Sequence, residues 1–302
     1  MGYLHIENLY KKQTIFLFRE CYAMEKIHGT SAHVTFKRDI QEGTTEEPAK
    51  RSIIYFSGGE KYDNFVKIFD HEKLLAAFDQ FGMTEVTVYG EAYGGKCQGM
   101  KDTYGPVLKF VAFDVQIGDH WLDVPKAEKV ATDLGFDFVH YVRVPATIEA
   151  LDIERDKPST QAMRNGCGND KTSEGIVARP LQEMRTSAES RVIVKHKRPE
   201  WRETTSVRRV EDPEKLAKLA DAKAIAWEWV TDMRLQHVLD KMPVEMRTIQ
   251  NLGNIIQAMV EDVIREGAGE IVDSKEARTA IGARTAQLFK SNLNRNIRSE
   301  AE

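Results

Sequence analysis

The chain changes character near residue 204, and this change constrains its fold more than any other feature of the sequence. Before it, short runs rich in β-branched and aromatic residues recur, which is typical of strands. These runs are 22–28, 32–37, 52–56, 86–93, 109–115 and 191–196. After it the β signal nearly disappears. We therefore predict an α+β chain of two domains, residues 1–203 and residues 204–302.

Helical patterns fall between the predicted strands of the first domain. Apolar spacing predicts a helix over 64–81, which Gly82 is well placed to end. A second helix should begin at Asp123 and run to Leu134. Residues 39–50 are polar and without periodicity, which predicts a loop. Because the strands and helices do not alternate regularly, we expect antiparallel or mixed sheets with helices packed on them.

The second predicted domain is small and all-helical. A polar stretch over 204–209 is a plausible linker into it. Its clearest helix carries an apolar stripe made of Leu252, Ile255, Ile256, Met259, Val260, Val263 and Ile264. The run 273–276 resembles a capping box that opens the last helix.

Composition limits the class of protein. The formal net charge of −4 argues against a protein that coats nucleic acid through bulk positive charge. The three cysteines are far apart and form neither a C-x-x-C pair nor a disulfide framework, as expected in a reducing cytoplasm. The chain has no recognisable signal peptide and no apolar run near the roughly 20 residues needed to cross a bilayer. These features predict a soluble cytoplasmic protein with no membrane partner.

Lys26, in the run Glu25-Lys26-Ile27-His28-Gly29-Thr30, admits two interpretations. It is either an exposed strand lysine or a nucleophile. A lysine amine attacks phosphorus or carbonyl carbon only when unprotonated, against a reference pKa of about 10.4. A single lysine favours the first interpretation, so the second depends on the rest of the chain.

Four further stretches place charged or aromatic residues in or beside predicted strands. They are Tyr89-Gly90-Glu91-Ala92-Tyr93-Gly94-Gly95, Val111-Ala112-Phe113-Asp114-Val115, Ser173-Glu174-Gly175-Ile176-Val177 and Val194-Lys195-His196-Lys197. In the last stretch the two lysines are two residues apart on a strand and therefore share a face.

Together these stretches resemble the motifs of the covalent nucleotidyltransferases, the family of ATP-dependent RNA and DNA ligases and mRNA capping enzymes. The run 25–30 looks like the K-x-[DHN]-G nucleophile motif. Glu91, Phe113, Glu174 and the pair Lys195 and Lys197 fall in the later motifs in the family's order. Five motifs in order are a specific signal. The resemblance implies a nucleotidyltransferase domain of the ATP-grasp-like ligase fold over residues 1–203.

Within the family, the chain most resembles the phage RNA ligase 2 type, which is related to the RNA-editing ligases. His28 stands where DNA ligases usually carry aspartate, and the run 6–10 is similar to that branch's opening motif. A helical C-terminal domain also fits this branch. Ser31 stands where the branch usually has asparagine, and its role is open.

The resemblance implies a role for each site residue. Lys26 would carry AMP from ATP, and Glu174 would associate with Mg²⁺ or Mn²⁺. Lys195 and Lys197 would bind the α-phosphate, with the other nucleotide-binding or catalytic positions being Glu25, His28, Arg51, Glu91 and Phe113. Glu91 would contact the ribose and Phe113 would stack on adenine. Lys50 is the alternative to Arg51 as the basic residue of its motif.

The implied function is sealing of 3′-OH and 5′-phosphate ends, with nicked duplex RNA as the expected partner and no protein partner predicted. Two alternatives remain open at this point. One is a ligase that prefers single-stranded RNA or RNA–DNA hybrid ends. The other is a non-catalytic nucleic-acid clamp that keeps the fold. If a phage encodes the protein, its location would be the host cytoplasm.

Overall fold

The computed structural model describes residues 2–39, 50–186, 190–207, 209–210 and 219–299. Most of the predicted loop 39–50, and residue 208 of the predicted linker, lie outside these ranges. The chain divides into two compact units, Met1–His196 and Lys197–Glu302. Within the described residues, every helix is too short or too polar to cross a membrane.

Two five-stranded sheets form the first unit. The first sheet has the order β1-β10-β9-β2-β8, and its strands are β1 (Glu7–Asn8), β2 (Glu20–Lys26), β8 (Tyr141–Pro145), β9 (Gly175–Pro180) and β10 (Val194–Lys197). The second has the order β4-β3-β5-β6-β7, with β3 (Thr30–Arg38), β4 (Arg51–Ser57), β5 (Glu85–Tyr93), β6 (Lys109–Ile117) and β7 (His120–Trp121). Strand β1 runs parallel to β10, whereas β2 is antiparallel to both β8 and β9. All pairs of the second sheet are antiparallel.

The helices of this unit are short. They are α1 (Tyr62–Val66), α2 (His71–Asp79), α3 (Lys101–Tyr104), α4 (Val124–Asp133), α5 (Ile148–Arg155) and α6 (Thr160–Arg164). Alternate residues of β3, namely Ala32, Val34 and Phe36, are fully buried in the main core. Phe36 stacks on Phe78 of α2, so this face of the second sheet carries helices. The prediction of an α+β fold with antiparallel and mixed sheets is confirmed.

The predicted helix 64–81 is wrong as a single element. Asp70 adopts an extended conformation (φ −86°, ψ 101°) and its side chain accepts a hydrogen bond from the Lys73 amide. Helix α1 has already ended at Val66, and Asp70 caps α2 as a separate helix. The helix predicted to start at Asp123 is observed as α4, with Asp123 as its N-cap and Gly135 in a left-handed conformation (φ 89°) just after it.

The second unit is helical in its described part, as predicted. Its helices are α7 (Ala222–Trp229), α8 (Asp232–Asp240), α9 (Leu252–Glu266) and α10 (Lys275–Ser299). Ile255, Met259 and Val263 of the predicted stripe are fully buried in a core of this unit's own. Ser274 caps α10 by accepting a hydrogen bond from the Ala277 amide (3.1 Å).

Two residues of the predicted linker are fixed to helix α7. The Thr205 amide donates to the Glu228 carbonyl (2.8 Å) and the Ser206 amide donates to the Glu228 carboxylate (3.0 Å). These bonds hold residues 205–206 on the helical unit, which accords with the division of the compact units at residues 196 and 197.

Candidate active site

Lys26 is the last residue of β2 and lies directly opposite Gly175 of β9. Its amine donates a hydrogen bond to Glu174 Oε2 (2.7 Å), and the Glu174 amide donates to the Lys26 carbonyl (3.0 Å). The Glu174 side chain is 3% exposed, whereas that of Lys26 is 23% exposed. Antiparallel pairing thus brings together two predicted site residues that are 148 positions apart.

His28 joins this pair. Its Nδ1 lies 3.6 Å from Glu174 Oε2, and its amide donates to the Tyr104 hydroxyl (3.4 Å). Burial raises the pKa of Tyr104, so its hydroxyl stays protonated at neutral pH. The backbone at His28 is therefore tied to helix α3 while its ring faces the carboxylate.

Gly29 allows β3 to start against β5. A Cβ built at this position would lie 2.3 Å from the Ala92 carbonyl oxygen and 3.0 Å from Glu91 Cγ. Only glycine permits this approach. In the resulting register Thr30 faces Ala92 and Ser31 faces Glu91, so Glu91 lies beside the motif that contains Lys26.

Phe113 lies on β6, next to β5 in the second sheet, where the register between the two strands shifts at Tyr89 and Gly90. Its half-buried ring meets the ring of Tyr3 edge-on, with centroids 4.9 Å apart. Glu91 and Phe113 are therefore on neighbouring strands of one sheet.

Sequence reasoning did not select Tyr3. Its hydroxyl donates to Asp114 Oδ2 (2.6 Å), and Arg191 donates to the same hydroxyl (2.9 Å). Asp114 is fully buried and is also bound by Arg179 (2.9 Å). This ion-pair network fixes the residue next to Phe113. No short-range signal could have found it, because Tyr3 and Asp114 are 111 positions apart.

Lys195 lies on β10, which is separated from β2 only by β9. Strand β1 pairs in parallel with β10 and places Asn8 opposite Lys195. The predicted opening motif 6–10 thus supplies the edge strand beside this lysine. His196 points to the other face, where its Nε2 lies 2.6 Å from Asp152 Oδ1 of α5.

Two predicted nucleotide-binding residues occupy other positions. The Glu25 carboxylate accepts hydrogen bonds from the Ser159 hydroxyl and the Gln161 amide, at the N-terminus of α6. Burial raises its pKa. Because Glu25 precedes Lys26 on a strand, its side chain points to the opposite face, and the structure gives it a helix-capping contact instead of a place beside Glu174.

The prediction for Arg51 is corrected by the sheet register. Arg51 pairs with Arg38, eight residues beyond Thr30 along β3, which corresponds to roughly 27 Å. Its guanidinium forms an ion pair with Asp79 of α2. Arg51, and Lys50 before it in the chain, therefore lie at the end of the β3–β4 pair that is far from the lysine motif.

Gln98 is a candidate that sequence reasoning missed. Among the described residues it is the non-glycine residue with a positive φ (56°), in the loop that follows β5. Its side-chain oxygen is buried without a hydrogen-bond partner in the part of the chain that the structure describes. A strained backbone and an unsatisfied carboxamide are typical of a binding position. The surrounding glycines were the available sequence signal.

The donor set suits a divalent metal. Mg²⁺ prefers oxygen ligands and is commonly held by one or two carboxylates together with substrate phosphates. Glu174 provides a buried carboxylate beside the amine of Lys26. Glu174 is therefore the residue of this site that could offer a carboxylate ligand to a divalent metal.

A comparison with protein families shows that the model described as "RNA ligase" matches residues 19–197. No curated protein matches the chain. Among solved structures, a Naegleria gruberi RNA ligase with PPi has a TM-score of 0.47 and 13% identity, and the match covers 67% of this chain and 57% of that one. A mutant of that ligase with ATP and Mn has a TM-score of 0.46 and 12% identity, with the same coverage. The chain thus spans little more than half the length of these solved proteins.

Proposed function

Because the chain belongs to the RNA ligase family, we propose that it is an ATP-dependent RNA ligase that works through an AMP adduct on Lys26. The contact between Lys26 and Glu174 carries the proposal, since it places a nucleophilic amine beside a buried carboxylate. The motif resemblance over the same residues supports it. The family membership predicted from the motifs is confirmed by the family match.

The first step forms the adduct. The unprotonated amine of Lys26 attacks the α-phosphorus of ATP and a P–N bond forms. Pyrophosphate leaves with the electron pair of the broken P–O bond, and the lysine nitrogen releases one proton to solvent. Phosphoryl transfer of this kind depends on positioning and on neutralising charge. Lys195 and Lys197 would bind the α-phosphate, Glu91 the ribose, and Phe113 the adenine face. His28 would orient Glu174 beside Lys26.

Mg²⁺ or Mn²⁺ held by Glu174 would neutralise phosphate charge in this step. In the two later steps AMP passes from Lys26 to the 5′-phosphate of an RNA end, and a neighbouring 3′-OH then displaces it. The products are a sealed phosphodiester and free AMP. The 3′-OH releases its proton to solvent as its oxygen bonds to the 5′-phosphorus and the P–O bond to AMP breaks.

The substrate we propose is a nick in duplex RNA. Its support is the likeness to the RNA ligase 2 branch and the helical second unit, which fits that branch. Duplex RNA would be recognised by shape and 2′-OH contacts. The cytoplasmic location and the absence of a protein partner stay predictions.

Covalent labelling tests the chemistry. Incubation with Mg²⁺ and ATP labelled on the α-phosphate should transfer label to the wild-type protein and to Lys129→Ala, whose lysine lies on the exposed face of α4. Lys26→Ala should carry no label. A labelled Lys26→Ala protein would contradict the role of Lys26. An unlabelled wild type would contradict the enzyme assignment and favour a non-catalytic clamp.

A substrate panel tests the RNA assignment. We expect nicked duplex RNA to be sealed faster than single-stranded RNA, an RNA–DNA hybrid nick or an all-DNA nick. Equal sealing of the all-DNA nick would contradict the assignment. Faster joining of single-stranded or hybrid ends would support the alternative end preferences.

A further inference from the structure

Lys197, the last residue of β10 and the first of the helical unit, forms an ion pair with Glu203. The two side chains are 11% and 12% exposed, so the pair is largely shielded from water. A shielded pair of opposite charges interacts more strongly than one on the surface. Lys197 is therefore held by a residue that none of the sequence motifs contains.

The Glu203 side chain is bound by two residues of helix α8, His237 and Arg234. His237 Nδ1 lies 2.7 Å from Glu203 Oε1, and Arg234 Nη1 lies 3.3 Å from Oε2. Arg234 Nε also donates to the Glu203 carbonyl (3.1 Å). Burial by itself would raise the pKa of Glu203, but Lys197, His237 and Arg234 outweigh it and hold this pKa well below its usual range. Glu203 is thus a carboxylate at neutral pH.

Arg234 links this carboxylate to the interior of the helical unit. Its side chain is 2% exposed, it donates to Asp262 Oδ2 of α9 (2.7 Å), and it donates to the Trp229 carbonyl (2.9 Å). Glu203 therefore cannot shift without disturbing contacts between α8 and α9. It is a rigid acceptor for Lys197.

Lysine needs such an acceptor because its ammonium sits on a flexible stem of four carbons. Lys195 and Lys197 also share one face of β10, where like charges repel. A fixed carboxylate offsets that repulsion and restricts the directions in which Lys197 can point.

We propose that Glu203 is a positioning residue that sets the direction of the Lys197 amine for adenylyl transfer. The inference rests on the proposed function, in which Lys197 binds the α-phosphate of ATP. Glu203 acts through Lys197 and does not itself contact the nucleotide. It makes the closing K-x-K motif dependent on helix α8.

Single-turnover formation of the labelled protein–AMP adduct tests this role, measured over a range of ATP concentrations. Glu203→Gln keeps the shape but removes the charge. We expect its rate constant at saturating ATP to fall about 100-fold, the scale of a misplaced reacting group. The ATP concentration at half-maximal rate should stay within twofold of wild type, and so should the adduct amplitude. Glu200→Gln, a matched change at an exposed position in the same segment, should equal wild type.

Two measurements separate positioning from structural damage. A structural role would lower the amplitude, because fewer molecules are folded, and would leave the rate constant unchanged. That result, or a wild-type rate constant, would overturn the inference. If Glu203→Gln does not fold, Glu203→Asp replaces it, since it keeps the charge at shorter reach. We expect a rate constant about tenfold below wild type, and an unchanged one would overturn the inference. Absence of adduct from wild type would instead refute the proposed function.

Discussion

Gly29 determines how closely the lysine motif approaches strand β5. A Cβ atom at this position would collide with the Ala92 carbonyl oxygen and contact the Glu91 side chain, so there is no space for a methyl group. Close packing against β5 therefore explains why residue 29 is glycine, independently of the resemblance of the motif to a family. Ser31, two residues on, faces Glu91 across the strands.

Gly29→Ala should therefore separate β3 from β5 and displace Glu91. We expect a loss of about 1–3 kcal/mol in the free energy of unfolding, which is typical of overpacking. Adduct formation should fall at least tenfold because the site residues move apart. Urea unfolding and the labelling assay measure both quantities.

Gly82→Ala is the matched control, since a Cβ at that position meets nothing within 4 Å. It should leave unfolding and labelling unchanged. Equal effects of the two substitutions would show that steric contact at Gly29 is not the cause.

Arg51→Ala tests the correction made by the sheet register. Because Arg51 pairs with Asp79 at the far end of β3, we expect its adduct rate to stay within twofold of wild type. Lys195→Ala should lower that rate at least tenfold under the same conditions. A large loss in Arg51→Ala would restore the nucleotide-binding role predicted from the sequence.

At the scale of elements, helices α8 and α9 are joined by buried charge. Asp262 accepts from Arg234 (2.7 Å) and from Lys241 (3.1 Å). Burial would raise the pKa of Asp262, but the ion pairs with Lys241 and Arg234 outweigh it and lower the pKa to about 2. A carboxyl whose pKa is depressed on folding stabilises the fold above its unfolded pKa, near 3.9, and loses that effect as the pH falls through the folded value.

Asp262→Asn removes the nearer of the two carboxylates that pair with the buried Arg234 and leaves Glu203 as the other. We expect a loss of about 3–5 kcal/mol in the free energy of unfolding at pH 7, which is typical of one broken partner in a buried pair. The difference from wild type should narrow between about pH 4 and pH 2. Urea unfolding followed by circular dichroism at several pH values measures it.

Asp273→Asn is the control at this scale, because its ion pair with Arg278 is exposed. It should unfold like wild type at every pH. A constant difference between Asp262→Asn and wild type from pH 7 to pH 2 would contradict the assigned pKa.

At the scale of the whole molecule, the two units have hydrophobic cores that share no residue among those the structure describes. The first core includes Val34, Phe36 and Phe78, and the second includes Met259 and Ile281. Each unit can therefore lose stability through its own core.

Ile281→Ala should destabilise the helical unit by about 2–5 kcal/mol, because the side chain is fully buried in α10. Hydrogen exchange followed by mass spectrometry should show faster exchange in peptides of α7 to α10 and unchanged exchange in β2 and β3. Thr279→Ala, at an exposed position of the same helix, should change neither. Faster exchange throughout the chain would contradict separate cores.

The sequence by itself determined the features that depend on local pattern. The β-rich runs, the helical stripe of α9 and the start of a helix at Asp123 were predicted because strand alternation, helical periodicity and helix initiation are set by nearby residues. The motif order predicted Lys26 and Glu174 as site residues for the same reason, since each motif is a short run. Residues 67–70 show the limit of periodicity, because the apolar spacing continues through them although α1 ends at Val66 and α2 begins after its N-cap Asp70.

Only the tertiary structure decided which distant residues meet. Strand pairing brings the Glu174 carboxylate into contact with the Lys26 amine and places Arg51 at the end of β4 far from the lysine motif. Neither position depends on local sequence spacing. Tyr3 and Glu203 were not predicted because their partners are brought to them by packing, from β6 for Tyr3 and from α8 for Glu203. Short-range pattern fixes the elements, while register and packing between elements fix the site.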